Sequence, residues 1–296
     1  MILLTGATGF IGQHLLKDLC LKYGAEKIVL ISSKHIPGIK TILRKGCQIV
    51  DSESKDVLDC ISKINVVIHL GAFIPKNNDE LKNDIESDQN VRFTENLCNL
   101  KFAKISQFIF VSSVDVYAVS EVICEDTGLK PLTNYAKSKL ACENLLLSWK
   151  EKFKIDLLIL RLGHTYGPGE AGFSKVIPST FKKIMNDEKV EIWGTGSQIR
   201  SFIFVKDVTK AIIQSIETKI SNSIINLVSS KSISISDLIK LIVKISNSST
   251  EVLYKQEEQK TDNLLFDNSL MRAILNVEET DLEVGLREEW QYFQNI

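Results

Sequence analysis

The chain has 296 residues, 44% hydrophobic and 25% charged, which suits one large globular domain or a main domain with a smaller one. A net charge of −1 gives no basic field for nucleic acid, and no nucleic-acid partner is expected. The opening MILLTGATGFIG reaches its glycines after a short apolar run, too short for a signal-peptide core or a membrane anchor, so no membrane association is expected.

In chain order, Ile2–Leu4, Ile28–Ile31, Val66–Leu70, Phe108–Val111 and Leu157–Arg161 read as buried strands, being short, apolar on both faces and bounded by polar or turn residues. Helical patterns lie between them. In IGQHLLKDLCLKYG, residues 11–24, apolar residues recur at three- and four-residue spacing, and Gly24 is placed to terminate a helix. Alternating strands and helices imply a parallel sheet with right-handed crossovers. Beyond residue 165 a connection rich in glycine leads to a helix near 175–186 and strands near 190–193, 201–205 and 224–228. A helix near 235–246 follows, and Thr280 to Glu283 fits a capping box for a last helix ending at Phe293. Six cysteines, at 20, 47, 60, 98, 124 and 142, form no CxxC or Cys/His cluster. No metal site is expected, and free thiols fit a reducing compartment, the cytoplasm.

Gly6, Gly9 and Gly12 follow the first strand directly and open the first helix. Glycine there permits a tight turn and close backbone approach to a pyrophosphate, which the helix N-terminus receives with unpaired N–H groups. The spacing is GxxGxxG, not GxGxxG. A second cluster, Ser112-Ser113-Val-Asp-Val-Tyr117, follows the Phe108 strand at the carboxyl edge, where open α/β sheets bind ligands. Tyr135 and Lys139 are four residues apart in a helical pattern and share one face. An ammonium near a phenol lowers its pKa from about 10, so Tyr135 could exchange a proton with an alcohol or ketone oxygen that Ser113 also contacts. On the spacing alone, a surface Tyr/Lys pair is the alternative.

Together and in this order the motifs resemble the extended short-chain dehydrogenase/reductase family of nucleotide-sugar epimerases, dehydratases and ketoreductases. TGATGFIG resembles its cofactor loop, HLGA (69–72) its fourth-strand motif, and VSSVDVY (111–117) and YAKSK (135–139) its catalytic segments. LRLGHTYGPG (160–169) resembles the junction into the substrate lobe, and WGTGSQIRSFIFVKDV (193–208) the segment that supplies an arginine to a nucleotide diphosphate; INLVSS (225–230) and DLEVGLREEW (281–290) also fit. The resemblance implies an α/β fold: a Rossmann doubly wound parallel sheet over residues 1–165, and a smaller C-terminal substrate-binding α/β lobe over 166–296, with segments near 201–228 returning to the first domain. It implies Tyr135 as acid/base, Lys139 as its pKa modulator and a ribose ligand, and Ser113 as the hydroxyl that orients the oxygen. Gly6, Thr8, Gly9, Phe10, Ile11, Gly12, Leu70, Gly71 and Ala72 are the implied cofactor contacts. Arg200 is the implied partner of a sugar nucleotide's phosphates, with a surface salt bridge as the alternative. Lys175 could face the same diphosphate or be a surface lysine. His164 stands where many members have asparagine near the phosphates, and is either a donor there or a packed loop residue. The Asp-Glu pair of the 4,6-dehydratases is replaced by Val114 and Asp115, which speaks against that reaction. A homodimer through segments near 83–100 and 134–151 is expected by the same analogy.

In this fold a carboxylate about 20 residues past the glycine loop binds the ribose hydroxyls of NAD, and counting from Gly12 leads to Ser32. An aspartate there would repel the 2′-phosphate of NADP by up to roughly 4 kcal/mol at ~4 Å and an effective dielectric of ~20. Ser32 removes that repulsion, and Ser33 and Lys34 offer donors and charge, so NADP(H) is expected over NAD(H). The alternative is a solvated turn that binds plain NAD. NADPH favours net reduction of a 4-keto(-6-deoxy) hexose carried as a nucleotide-diphosphate sugar. The alternatives are an NAD-dependent 4-epimerase at the same site, and a cofactor-sensing protein without catalysis.

Overall fold

The structure, a computed structural model, describes residues 1–32, 48–51, 61–76, 80, 84–100, 102–218, 220, 223–256 and 263–296. Twelve strands are present among them: β1 (Ile2–Thr5), β2 (Ile28–Ser32), β3 (Gln48–Asp51), β4 (Val66–His69), β5 (Gln107–Ser113), β6 (Leu157–Leu162), β7 (His164–Tyr166), β8 (Val190–Trp193), β9 (Ile199–Phe204), β10 (Ser223–Leu227), β11 (Ser232–Ser234) and β12 (Val252–Lys255). The α-helices are α1 (Phe10–Tyr23), α2 (Asp84–Cys98), α3 (Asn134–Phe153), α4 (Val176–Met185), α5 (Val205–Glu217), α6 (Ile235–Ile245), α7 (Ser269–Leu275) and α8 (Leu282–Phe293). No helix among the described residues is long and apolar enough to cross a membrane.

Seven strands form one parallel sheet in the order β10-β6-β5-β4-β1-β2-β3. Its strands are apolar on both faces because both faces are covered. α1, α5 and α7 bury Leu15, Leu19, Ile212 and Met271 on one side. α2 and α3 bury Leu97, Cys142 and Leu146 on the other. Strand order reverses between β1 and β4, which opens a crevice at their carboxyl ends. The loops after β1, β4 and β5 all emerge at that edge.

The C-terminal part builds a second core around Tyr166, Phe181, Ile192, Phe204, Ile242, Leu286 and Phe293. Two small sheets frame it, β11-β9-β7 and β12-β8. β9 therefore stands in the small sheet, whereas α5 covers α1 and β10 adds the edge strand of the large one.

Several local expectations are corrected. β5 runs two residues further than its apolar core, because Ser112 and Ser113 pair with Arg161 and Leu162 of β6; the two serines stand on the strand, not after it. The last helix is capped by Asp281, whose side chain accepts from Glu283 N. Thr280 makes no capping box, since its N–H and hydroxyl both donate to buried Asp207, at 2.7 and 2.8 Å. β3, β7, β11, β12 and α7 are additional elements, short pieces without a strong apolar period.

Candidate active site

The loop after β1 is shaped by close backbone approach. Gly6 has φ +72°, and a Cβ on it would stand 2.7 Å from Gly71 N. A Cβ on Gly12 would stand 2.0 Å from Gly6 O, so the first turn of α1 is pressed against the loop. Gly9 is the N-cap of α1 and offers no capping side chain, and the first turn holds no acidic residue. The helix thus presents its N–H groups and positive dipole end at the sheet's switch point, a cradle that fits a dinucleotide's pyrophosphate. Thr8 and Gly9 are exposed, Phe10 and Ile11 half-buried, and Gly12 buried. Gly12→Ala is expected to cost about 1–3 kcal/mol through this overlap and to weaken dinucleotide binding, measured by denaturant unfolding beside a cofactor titration.

Leu70, Gly71 and Ala72 follow β4 on the far side of the crevice. Gly71 N donates to Thr5 Oγ1 at 2.9 Å, and Thr5 Oγ1 meets His69 Nδ1 at 2.7 Å. His69 Nε2 lies 3.0 Å from Thr94 Oγ1, whose hydroxyl donates to Asn90 O. With the Thr94 hydroxyl proton given to Asn90 O, Thr94 Oγ1 accepts from His69 Nε2, so neutral His69 carries its proton there and takes the Thr5 hydroxyl proton at Nδ1. Burial, and then the Lys139 charge, push its pKa down to about 3. The network continues to α3 through Asn90 Nδ2, which donates to Ser138 Oγ at 3.1 Å, and Ser138 Oγ, which donates to Tyr135 O. The loop after β4 and the start of α3 are thereby held in one buried polar framework.

Ser113, Tyr135 and Lys139 come together at the carboxyl end of β5. Ser113 is buried and accepts from Asp115 N at 3.2 Å. Tyr135 is half-buried, with the Ser113 hydroxyl near its phenol. Burial first and the Asp115 carboxylate second raise its pKa above the ordinary phenol value, while the Ser113 hydroxyl acts in the opposite direction. The expected lowering by Lys139 is not what dominates. Lys139 Nζ, buried, donates to Val111 O at 2.7 Å and sits 4.7 Å from the centre of the Phe110 ring. Burial lowers its pKa to about 8, so its charge changes close to neutral pH. Val114 is buried in a small apolar cluster with Val116 and Tyr117, and Asp115 is exposed.

Sequence reading passed over what lies beneath. Glu143 continues the four-residue spacing of Tyr135 and Lys139 along α3. It accepts from Ser112 Oγ at 2.5 Å, Arg161 Nε at 3.1 Å and Arg161 Nη2 at 2.7 Å. The guanidinium lies 4.6 Å from the centre of the Tyr117 ring, and Tyr117 OH donates to Asn226 Oδ1 at 2.8 Å. These bonds tie α3 to β5, β6 and β10.

A cavity of about 280 Å³ lies in the C-terminal part, lined by His164, Thr165, Tyr166, Glu170, Lys175, Val176, Ile177, Arg200, Phe202 and Ile235. His164, Lys175 and Arg200 therefore share one chamber. Burial lowers the His164 pKa, as do the charges of Lys175 and Arg200, while Asp115 raises it. Arg200 Nη1 donates to Ile199 O at 2.8 Å. Lys175 Nζ donates to Thr165 O at 3.2 Å and pairs with Glu170 at 3.4 Å. Phe10, at the start of α1, lies within 5.9 Å of that ammonium, so the glycine loop and the cavity meet. Ser32 ends β2, one residue beyond Ile31, the register partner of Thr5. The expected roles of Ser33 and Lys34 fall outside the described residues. Among the described residues no group of three or more His, Cys, Asp or Glu side chains could hold a metal ion. Cys20, Cys98, Cys124 and Cys142 are free thiols.

Comparison with known proteins agrees with this geometry. The sequence profile of the NAD dependent epimerase/dehydratase family matches residues 2–227. A dTDP-4-dehydro-6-deoxy-D-allose reductase from Streptomyces is 28% identical over 99% of this chain and 96% of its own length. A dTDP-D-glucose 4,6-dehydratase from Dictyostelium discoideum is 29% identical over 83% of this chain, which spans 62% of that protein's length. The solved structure of UDP-glucuronic acid 4-epimerase from Bacillus cereus with UDP-glucuronic acid and NAD superposes with a TM-score of 0.82 at 27% identity, covering 99% of each chain. The chain belongs to the NAD dependent epimerase/dehydratase family, the extended short-chain dehydrogenases/reductases, and is an enzyme of that sugar-nucleotide class.

Proposed function

We propose that the chain reduces a 4-keto sugar, favoured as a 4-keto-6-deoxyhexose, carried on a nucleoside diphosphate, with NADPH as reductant. The observation that carries this reading is the end of β2. That strand finishes on Ser32, level with the start of the glycine loop, and no carboxylate stands on it. An NADP 2′-phosphate meets no repulsion from that strand. The reductase similar over nearly the whole of both chains also supports net reduction.

The bound nicotinamide would supply a hydride to the keto carbon. The protein's part is to hold the keto oxygen and give it a proton. Tyr135 keeps its proton at neutral pH because burial and Asp115 disfavour the phenolate, which suits a general acid. Ser113 donates a second hydrogen bond to the same oxygen as negative charge develops there. Lys139, one turn from Tyr135 on the same face of α3 and held by Val111 O, would carry the positive charge that favours the phenolate left behind. His164, Lys175 and Arg200 form the anion-binding end of the cavity, where a diphosphate anchors the sugar. Val114 offers no acid or base where a dehydratase needs one. The exposed Leu147 and Phe153 on α3 support the homodimer expected through that helix.

A second reading, NAD-dependent 4-epimerisation, is favoured by one feature. β3 pairs with β2 so that Asp51 is the register partner of Ser32, which puts an acidic residue at that level of the neighbouring strand. A panel of 4-keto and 4-hydroxy nucleotide sugars with NADPH and NADH separates the two. Stoichiometric NADPH oxidation supports reduction, and sugar interconversion without net cofactor change supports epimerisation. Ser32→Asp is expected to shift the NADPH/NADH ratio of kcat/KM toward NADH by tenfold or more. An unchanged ratio would remove the basis for NADPH.

A further inference from the structure

Two carboxyl groups lie behind the cavity, and only one has an evident partner. Glu170, in the loop between β7 and α4, is buried; its Oε1 accepts from Gly167 N at 3.4 Å and its Oε2 lies 3.4 Å from Lys175 Nζ. Glu289, on α8, is fully buried, and no well-formed hydrogen bond reaches either of its oxygens, the nearby Gly167 N–H being given to Glu170. It stands within hydrogen-bond reach of Glu170. Two adjacent buried carboxylates beside a single ammonium cannot both stay charged. Burial and the neighbouring Glu170 push the Glu289 pKa far above the carboxylate range. Gly167 N and Lys175 Nζ both face Glu170 and favour its charge, which assigns the shared proton to Glu289, with its O–H donating to Glu170.

We propose that Glu289 is a positioning residue: its proton fixes Glu170, Glu170 fixes Lys175, and Lys175 is thereby set at the mouth of the anion-binding cavity. An ammonium has three N–H donors. Thr165 O and Glu170 take two, and the third is available to an anion beside His164 and Arg200. Phe10 and Phe173, 5.9 and 4.8 Å from the ammonium at their ring centres, hold it from the other side. The chain of contacts runs from the C-terminal helix to the cavity without Glu289 touching anything bound there. Nothing in the Tyr135 chemistry calls for these two carboxyls.

This inference rests on the reading that the cavity takes a diphosphate, and the test separates the two. Binding of UDP and dTDP is measured by calorimetry, at one pH and ionic strength, for the native protein and for Lys175→Ala, Glu289→Gln and Glu289→Leu, with the melting temperature of each. Lys175→Ala is expected to weaken binding about tenfold or more. Glu289→Leu removes the donor and is expected to approach that loss, even if an apolar side chain leaves the melting temperature unchanged or higher. Glu289→Gln keeps an N–H for Glu170 and is expected to restore native affinity. Weakening in Lys175→Ala with native affinity in Glu289→Leu would overturn the relay alone. Unchanged affinity in Lys175→Ala would overturn the diphosphate placement and the relay with it. If Glu289→Leu does not fold, Glu170→Gln decides. Weaker binding supports the anchor, whereas tighter binding would mean that Glu170 merely opposes the phosphates, and would overturn it.

Discussion

Replacing Tyr135 by phenylalanine is expected to lower kcat by about 10²- to 10⁴-fold, the usual worth of a positioned general acid, with little change in the KM for the nucleotide sugar. The fold has small reason to suffer. Tyr135 is half-buried and its hydroxyl faces Ser113 at the edge of the site, so the melting temperature should stay within a few degrees. The pH dependence is a second signature. Lys139 titrates at about 8 in the folded chain, mainly through burial; its positive charge is present below that value and lost above it. In the reductive direction kcat/KM is therefore expected to fall as pH rises through about 8, as a single ionisation of the free enzyme. The stability sign is opposite for the same group. Between about 8 and the ordinary lysine value of 10.5 the unfolded chain binds more protons than the folded one, so this lysine adds stability as pH rises. Activity and stability should diverge across that window. A flat kcat/KM profile from pH 7 to 9, or full activity in Tyr135→Phe, would sink the assignment.

The parts of this molecule that were legible in the sequence are those whose cause is local. Leu3, Leu30, Val67, Phe108 and Leu158 read as buried strands because both faces of the sheet are covered. Gly6 and Gly12 read as part of a loop because no side chain fits where they stand, and Gly9, between them, because it caps the helix. Tyr135 and Lys139 read as one helix face because helices repeat every 3.6 residues. What was not legible depends on strand order and register. β3 is a short strand, and only its pairing with β2 sets Asp51 level with Ser32. The environment of Lys139 depends on where β5 passes beneath α3: Val111 O takes the ammonium there, a backbone partner that no side-chain pattern announces. Glu170 and Glu289 lie far apart in sequence, and the family-like segments beside them, LRLGHTYGPG and DLEVGLREEW, do not announce that the two carboxyls meet. His164, Lys175 and Arg200 could be listed from a resemblance, but their shared chamber follows from the pairing of β7 with β9.

Glu143→Ala is expected to destabilise the fold by about 3–5 kcal/mol, the range seen when one partner of a buried ion pair is removed, and to lower the melting temperature by on the order of 10 °C. Glu143 and Arg161 are each no more than 2% exposed, and the pair is bidentate, with Ser112 Oγ completing the carboxylate's bonds. Without Glu143 the guanidinium keeps its charge, because arginine does not deprotonate in proteins, and no second carboxylate pairs with it. The opposite deletion, Arg161→Met, also breaks the pair and is expected to destabilise the fold. Removing both charges is the sharper test. Glu143→Leu with Arg161→Met leaves no buried ion, and the double variant should be more stable than Glu143→Ala alone by at least about 1–2 kcal/mol. Denaturant unfolding of the native chain, Glu143→Leu, Arg161→Met and the double variant measures this coupling directly. If Glu143→Ala lay within about 1 kcal/mol of the native chain, water or another group would have to reach Arg161, and α3 would be held to β6 by apolar packing alone. If the coupling is present, the ion pair does more than stabilise. It fixes α3 at Glu143, one turn from Lys139 and two from Tyr135, while Ser112, bonded to the same carboxylate, precedes Ser113 on β5. The serine and the tyrosine are then placed relative to each other by a single buried charge pair, and the double variant should fold well yet lose kcat by more than it loses stability.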